Sequence, residues 1–180
     1  MKKVIGIGKQ SFEDIIQSNC FYIDKTSLIK EWWESEDDIT LITRPRRFGK
    51  TLNMDMLKCF FSNQYRDQGQ LFEGLNIWKE EKYQQLQGTY PVIYLSFADV
   101  KQDCYGDTVQ KIRHIIGDTY RQHRYLLDAL CFTEAEKHQF TKVMNCEMDD
   151  VTAQDALKNL SYYLHHYWKK RSIFLLDEYD

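Results

Sequence analysis

An α/β fold, a parallel sheet flanked by helices, is predicted by three segments of the sequence. Ile39 to Thr43 reads as a strand that runs through Arg44-Pro45-Arg46-Arg47-Phe48-Gly49-Lys50-Thr51 into a helix from Leu52 to Phe61. Val92 to Phe97, opened by Pro91, reads as a second, buried strand, and Ile173 to Glu178 as a third that ends in two carboxylates. Helical patterns separate these strands, and strands alternating with helices pair in parallel.

Residues 1–38 form a helical lead-in and residues 39–180 the sheet-forming core. In the lead-in, Ser11 followed by Asp14 is a capping arrangement for a short helix through about Ser18, and Asp24 is placed to cap a second from Lys25 to Trp33. Gly6-Ile7-Gly8-Lys9 reads as a turn, and the acidic run Glu36-Asp37-Asp38 as a solvated one. Leu52, Met56, Leu57, Phe60 and Phe61 recur at helical spacing, as expected of a helix packed on a sheet. Residues 72–88 are irregular, with Gly69 ahead of them and Gly74 and Gly88 within them as punctuation. Val109, Ile112, Ile116, Tyr120, His123 and Leu127 share one face of a long helix, and Thr133 opens another that reaches about Met144. Ala153, Ala156, Leu157, Leu160, Leu164, Tyr167 and Trp168 mark a last helix, with Lys169-Lys170-Arg171 where cations suit the macrodipole. Four apolar residues, Ile173 to Leu176, then bury the final strand so that Asp177 emerges at its carboxyl end, where ligands bind in open α/β sheets.

A chain of 180 residues with 43% hydrophobic and 28% charged residues has the composition of one ordinary globular domain. Its net charge of −3 provides no general attraction to nucleic acid or anionic lipid, so such contacts would need a local patch. The densest basic cluster is Arg44, Arg46, Arg47 and Lys50. No apolar run approaches a signal-peptide core or a membrane span, which implies a cytoplasmic protein. Five widely spaced cysteines without a C-x-x-C pair argue against a disulfide framework or a zinc site, and read as reduced, mostly buried thiols.

The loop before the first core helix carries the chemistry. Consecutive backbone N–H groups at a helix N-terminus bind phosphate oxygens, a lysine ammonium reaches the outer phosphates, and a hydroxyl ligates Mg²⁺. Gly49, Lys50 and Thr51 supply those parts. The usual loop has a glycine five positions before Gly49, where this chain has Arg44, and Pro45 after it lacks an N–H. Arg46, Arg47, Phe48, Gly49, Lys50, Thr51 and Leu52 are the candidate nucleotide contacts. At the other end of the chain, Asp177 can join Thr51 as a ligand to Mg²⁺, and Glu178 can polarise a water for attack on a γ-phosphoryl group, with Lys50 as its catalytic partner.

Phe21-Tyr22-Ile23-Asp24-Lys25-Thr26, Arg44 to Thr51, Tyr90-Pro91-Val92-Ile93-Tyr94-Leu95-Ser96 and Leu175-Leu176-Asp177-Glu178-Tyr179-Asp180 together resemble the AAA-ATPase-like domain of bacteria and archaea. The resemblance extends over almost the whole chain and makes Arg44 the family's own version of the loop. It implies a P-loop fold of the additional-strand type that binds ATP, with Lys50 and Thr51 in the phosphate and Mg²⁺ roles and Asp177 and Glu178 in the metal and water roles. Family members commonly continue into more of the ATPase domain and then a PD-(D/E)XK nuclease-like domain, through which nucleic acid would be a partner. The expectation is therefore an incomplete domain whose isolated 1–180 piece turns ATP over poorly.

Three functions compete at this stage: Mg²⁺-dependent ATP hydrolysis coupled to a downstream module, a nucleotide switch without turnover, and a nucleic-acid-binding module using Arg44 to Lys50. Arg46 and Arg47 can equally steady phosphates, contact DNA or form a solvated patch. His165 and His166 lack a partner at metal spacing, and Asp24 is most simply a helix cap.

Overall fold

A computed structural model describes residues 4–6, 8–43, 45, 48–129 and 131–178. The chain divides into two compact units, Met1–Thr89 and Tyr90–Asp180.

The first unit is helical. Ser11 accepts from Asp14 N and caps α1 (Phe12–Gln17), as its sequence suggests. Helix α2 (Ser27–Ser35) ends at Glu36 in the left-handed region, and the acidic residues 36–38 are exposed. Helix α3 (Lys50–Phe61) packs on α1, and Asp55 of α3 accepts a 2.7 Å bond from Phe12 N while pairing with Lys58. The core of this unit is aromatic. Phe12 stacks on Phe72, Phe60 meets Phe72 edge to face, and Trp33 stacks on Phe61. Residues 63–79 form three short 3₁₀ turns, followed by α4 (Glu81–Leu86). Gly88 closes the segment at φ +65°, its N–H bonded to Phe60 O at 2.8 Å. A Cβ there would sit 2.4 Å from Arg66 Cα, so this position requires glycine.

Residues 39–43 are not a strand, contrary to expectation. Ile39 is 90% exposed and no described strand lies beside it. Strand propensity takes hold only where a neighbour supplies the ladder and the packing.

The second unit is an α/β layer. Strand β1 (Val92–Ser96) pairs in parallel with β2 (Ile173–Asp177), register Val92 to Ile173 through Ser96 to Asp177. The crossover between them contains α5 (Tyr105–Gln122), α6 (Glu134–Met144) and α7 (Asp150–Trp168). Thr133 and Glu136 cap α6 reciprocally, and Asp149 caps α7 through Thr152 N. Ile93 and Leu95 pack with Ile116 and Tyr120 of α5 and Leu160 and Leu164 of α7, and Tyr120 donates to Ala156 O across the two helices.

The expected burial of β2 needs correction. Leu175 and Asp177 are buried, but Phe174 and Leu176 remain 43% and 40% exposed, because the helical cover over Ile93 and Leu95 does not extend to their β2 neighbours. The cysteines likewise depart from expectation. All five are free thiols, but only Cys20 and Cys59 are buried, whereas Cys104 and Cys131 are exposed. Among the described residues, no helix is long and apolar enough to cross a membrane.

His123, at the end of α5, is 1% exposed, and burial pushes its imidazole down from 6.5 to about 4. The native state therefore resists a proton that the unfolded chain accepts. Stability is expected to be full above pH 6.5 and to fall as pH drops toward 4. The loss from this group is at most about 3 kcal/mol. Urea titrations across that range should show the slope in the wild type and a reduced slope in His123→Gln. An unchanged slope would mean that other groups control acid stability.

Candidate functional site

The expected site residues fall in two places, one in each unit, and each is a feature of its own unit.

In the first unit, Phe48 is exposed and Gly49 takes φ +76°, ψ 28° as the N-cap of α3. A glycine adopts this left-handed conformation without steric cost, but it has no side chain to cap a helix. Accordingly, α3 begins with no side-chain cap. Asn53 N returns to Gly49 O at 2.9 Å, the first bond of the helix, so the N–H groups of Lys50, Thr51 and Leu52 precede any intrahelical acceptor. Three backbone donors, a lysine and a hydroxyl thus come from consecutive residues at the positive end of a helix, an arrangement suited to an anion with several oxygens. Arg46 and Arg47, the other two expected contacts, and Arg44 of the basic cluster lie outside the described residues, and so does the patch reading that depends on them.

In the second unit, Asp177 ends β2 and is 4% exposed. Its Oδ2 is buried without a hydrogen-bond partner among the described residues. A buried carboxylate oxygen without a donor is costly, and a cation or its water shell relieves that cost. The residue fits a metal-holding role. Among the described residues, no cluster of three or more His, Cys, Asp or Glu side chains could hold a metal by itself. The remaining ligands would have to be substrate oxygens, hydroxyls and water, as Mg²⁺ prefers when it binds with phosphates. Glu178 is exposed and sits at φ +50°, a left-handed turn immediately after the strand. Backbone strain of this kind is often found at functional sites.

Asp24 is not the cap that its position suggests. The N-cap of α2 is Thr26, without a side-chain bond. Asp24 Oδ1 instead accepts from Thr26 N and Thr26 Oγ1, and Oδ2 accepts from Asn76 N at 2.7 Å. Burial pushes the Asp24 carboxyl up, but the bonds from Thr26 and Asn76 outweigh it and hold the group below the usual carboxylate range. Thr26, fully buried, accepts from Ile77 N at 3.1 Å. The pair fastens the start of α2 to residues 76–77. Sequence reasoning also passed over Lys25, although it lies within the Phe21 to Thr26 motif.

These features define an α/β protein with an uncapped, glycine-led helix start and a strand that ends in a buried acid. The chain belongs to the AAA-ATPase-like family, described as predicted AAA-ATPase, whose model matches residues 6–180. No curated protein and no solved structure matches it.

Proposed function

We propose that this chain is an ATP-binding P-loop domain of the additional-strand type that hydrolyses the γ-phosphate and couples its nucleotide state to a downstream module. The observation that carries the reading is the uncapped start of α3, where Gly49 opens the helix in a left-handed conformation and Lys50 and Thr51 follow directly. The family adds ATP as the expected nucleotide. The N–H groups of Lys50 to Leu52 would hold phosphate oxygens, while the Lys50 ammonium neutralises charge that grows on the γ-phosphoryl group and its bridging oxygen. Thr51 and Asp177 are the residues that would hold Mg²⁺, which would supply charge neutralisation to the phosphate oxygens. Glu178 would accept a proton from the attacking water. The bond from the γ-phosphorus to the bridging oxygen breaks, and ADP and phosphate leave.

A cytoplasmic compartment, where ATP is abundant, suits this reading. A PD-(D/E)XK nuclease-like module, and nucleic acid through it, is the partner class that the sequence resemblance suggests. The test is phosphate release by the intact protein with ATP, in Mg²⁺ and then in EDTA. Release that requires Mg²⁺ is expected. Tight ATP binding without release would make the domain a nucleotide switch instead.

A further inference from the structure

The geometry points to Lys25 as a second lysine that holds the polyphosphate at the start of α3, an inference that rests on the phosphate-loop reading and adds a residue from outside the loop. A Cβ built on Gly49 would lie 3.4 Å from Lys25 Nζ, so this ammonium is seated against the N-cap of the helix. Its two chain neighbours are held through their side chains. Asp24 is bonded to Asn76 N and Thr26 to Ile77 N, so Lys25 projects from a pinned segment.

The electrostatics of this placement call for an anion. A helix N-terminus carries partial positive charge and repels a cation, and Lys50 begins the same helix. Among the described residues, Lys30, Lys58, Lys82 and Lys137 each meet a carboxylate, whereas no described carboxylate pairs with Lys25. The Lys25 ammonium and the positive end of the helix that Lys50 begins therefore share one place without a described counter-charge. A ligand with several negative charges resolves that conflict. An ammonium has three donors, and two lysines from separate segments can grip different oxygens of one phosphate chain. Lys25 should accordingly matter for a di- or triphosphate more than for a monophosphate.

The test is calorimetric titration of the intact wild-type protein and its Lys25→Ala, Lys25→Arg and Lys50→Ala variants with Mg-ATP and with AMP, together with melting of each ligand-free protein. Lys25→Ala is expected to bind Mg-ATP about tenfold more weakly, the loss of a charge-assisted contact. Lys25→Arg should retain affinity within about threefold, because the charge is kept. AMP binding should change little, and the ligand-free melting temperature of Lys25→Ala should hold or rise as the repulsion is removed. Wild-type Mg-ATP affinity in Lys25→Ala, beside lost affinity in Lys50→Ala, would overturn the Lys25 role and leave the phosphate-loop reading standing. A ligand-free melting temperature that falls in Lys25→Ala would assign the residue to the fold. Absence of Mg-ATP binding by the folded wild type would overturn both.

Discussion

Lys50→Ala is expected to weaken Mg-ATP binding about a hundredfold or more, with little change in ligand-free stability. The residue occupies the first turn of α3, half-buried, at a helix start with no side-chain cap. Its ammonium is the loop's point charge for the outer phosphates, and a charge-assisted contact to phosphate is roughly twice as strong as a neutral one. Truncation to alanine leaves the backbone donors of the turn in place and keeps a strong helix former, so the fold should persist. Thermal melting reads both effects together. A ligand at a thousand times its dissociation constant stabilises the native state by about 4 kcal/mol, and that nucleotide-induced gain should fall to about 1.4 kcal/mol or less in the variant. An undiminished gain would mean that the nucleotide binds elsewhere.

The second large effect is expected at Glu178, where replacement by glutamine should slow phosphate release by about 10² to 10⁴-fold while ATP still binds. A carboxylate accepts a proton from water, whereas an amide of nearly the same shape does not. Glu178 is exposed and directly follows the strand that ends in Asp177, so loss of its charge should disturb little packing. The left-handed backbone at this position is retained by glutamine and makes larger changes less suitable. Single-turnover release measured beside equilibrium binding separates the two steps. Equal loss of both in Glu178→Gln would assign the residue to binding, and loss of neither would mean that another group activates the water.

The parts of the fold that were legible in the sequence are those fixed by near neighbours. Ser11 with Asp14 and Thr133 with Glu136 announce helix starts because donor and acceptor lie three residues apart. The apolar spacing from Ile112 to Leu164 announces a helical layer, and β1 and β2 stand where Pro91 and the Asp-Glu pair frame them. What failed depends on distant partners. Ile39 to Thr43 has the composition of a strand, but a strand exists only beside another. Asp24 looks like a local cap, yet one of its bonds reaches Asn76, 52 residues away. The partial exposure of Phe174 and Leu176 follows from where the helices stop, which no local pattern records.

The same division holds for the candidate site. The placement of Gly49, Lys50 and Thr51 at a helix start was legible because they are contiguous, and the helix begins two residues earlier than its apolar pattern suggests, at Lys50 itself. Asp177 was legible as a strand-ending acid, but its unpartnered oxygen was not, since burial is a property of the assembled layer. Lys25 was hidden because its approach to Gly49 joins segments more than a helix apart in sequence.

Calorimetric titration of Mg-ATP into the intact wild-type protein tests the central claim most directly. One saturable site is the result that an uncapped, lysine-bearing start of α3 predicts. No heat of binding from a folded protein would contradict it, and the start of α3 would then have to be explained without a nucleotide.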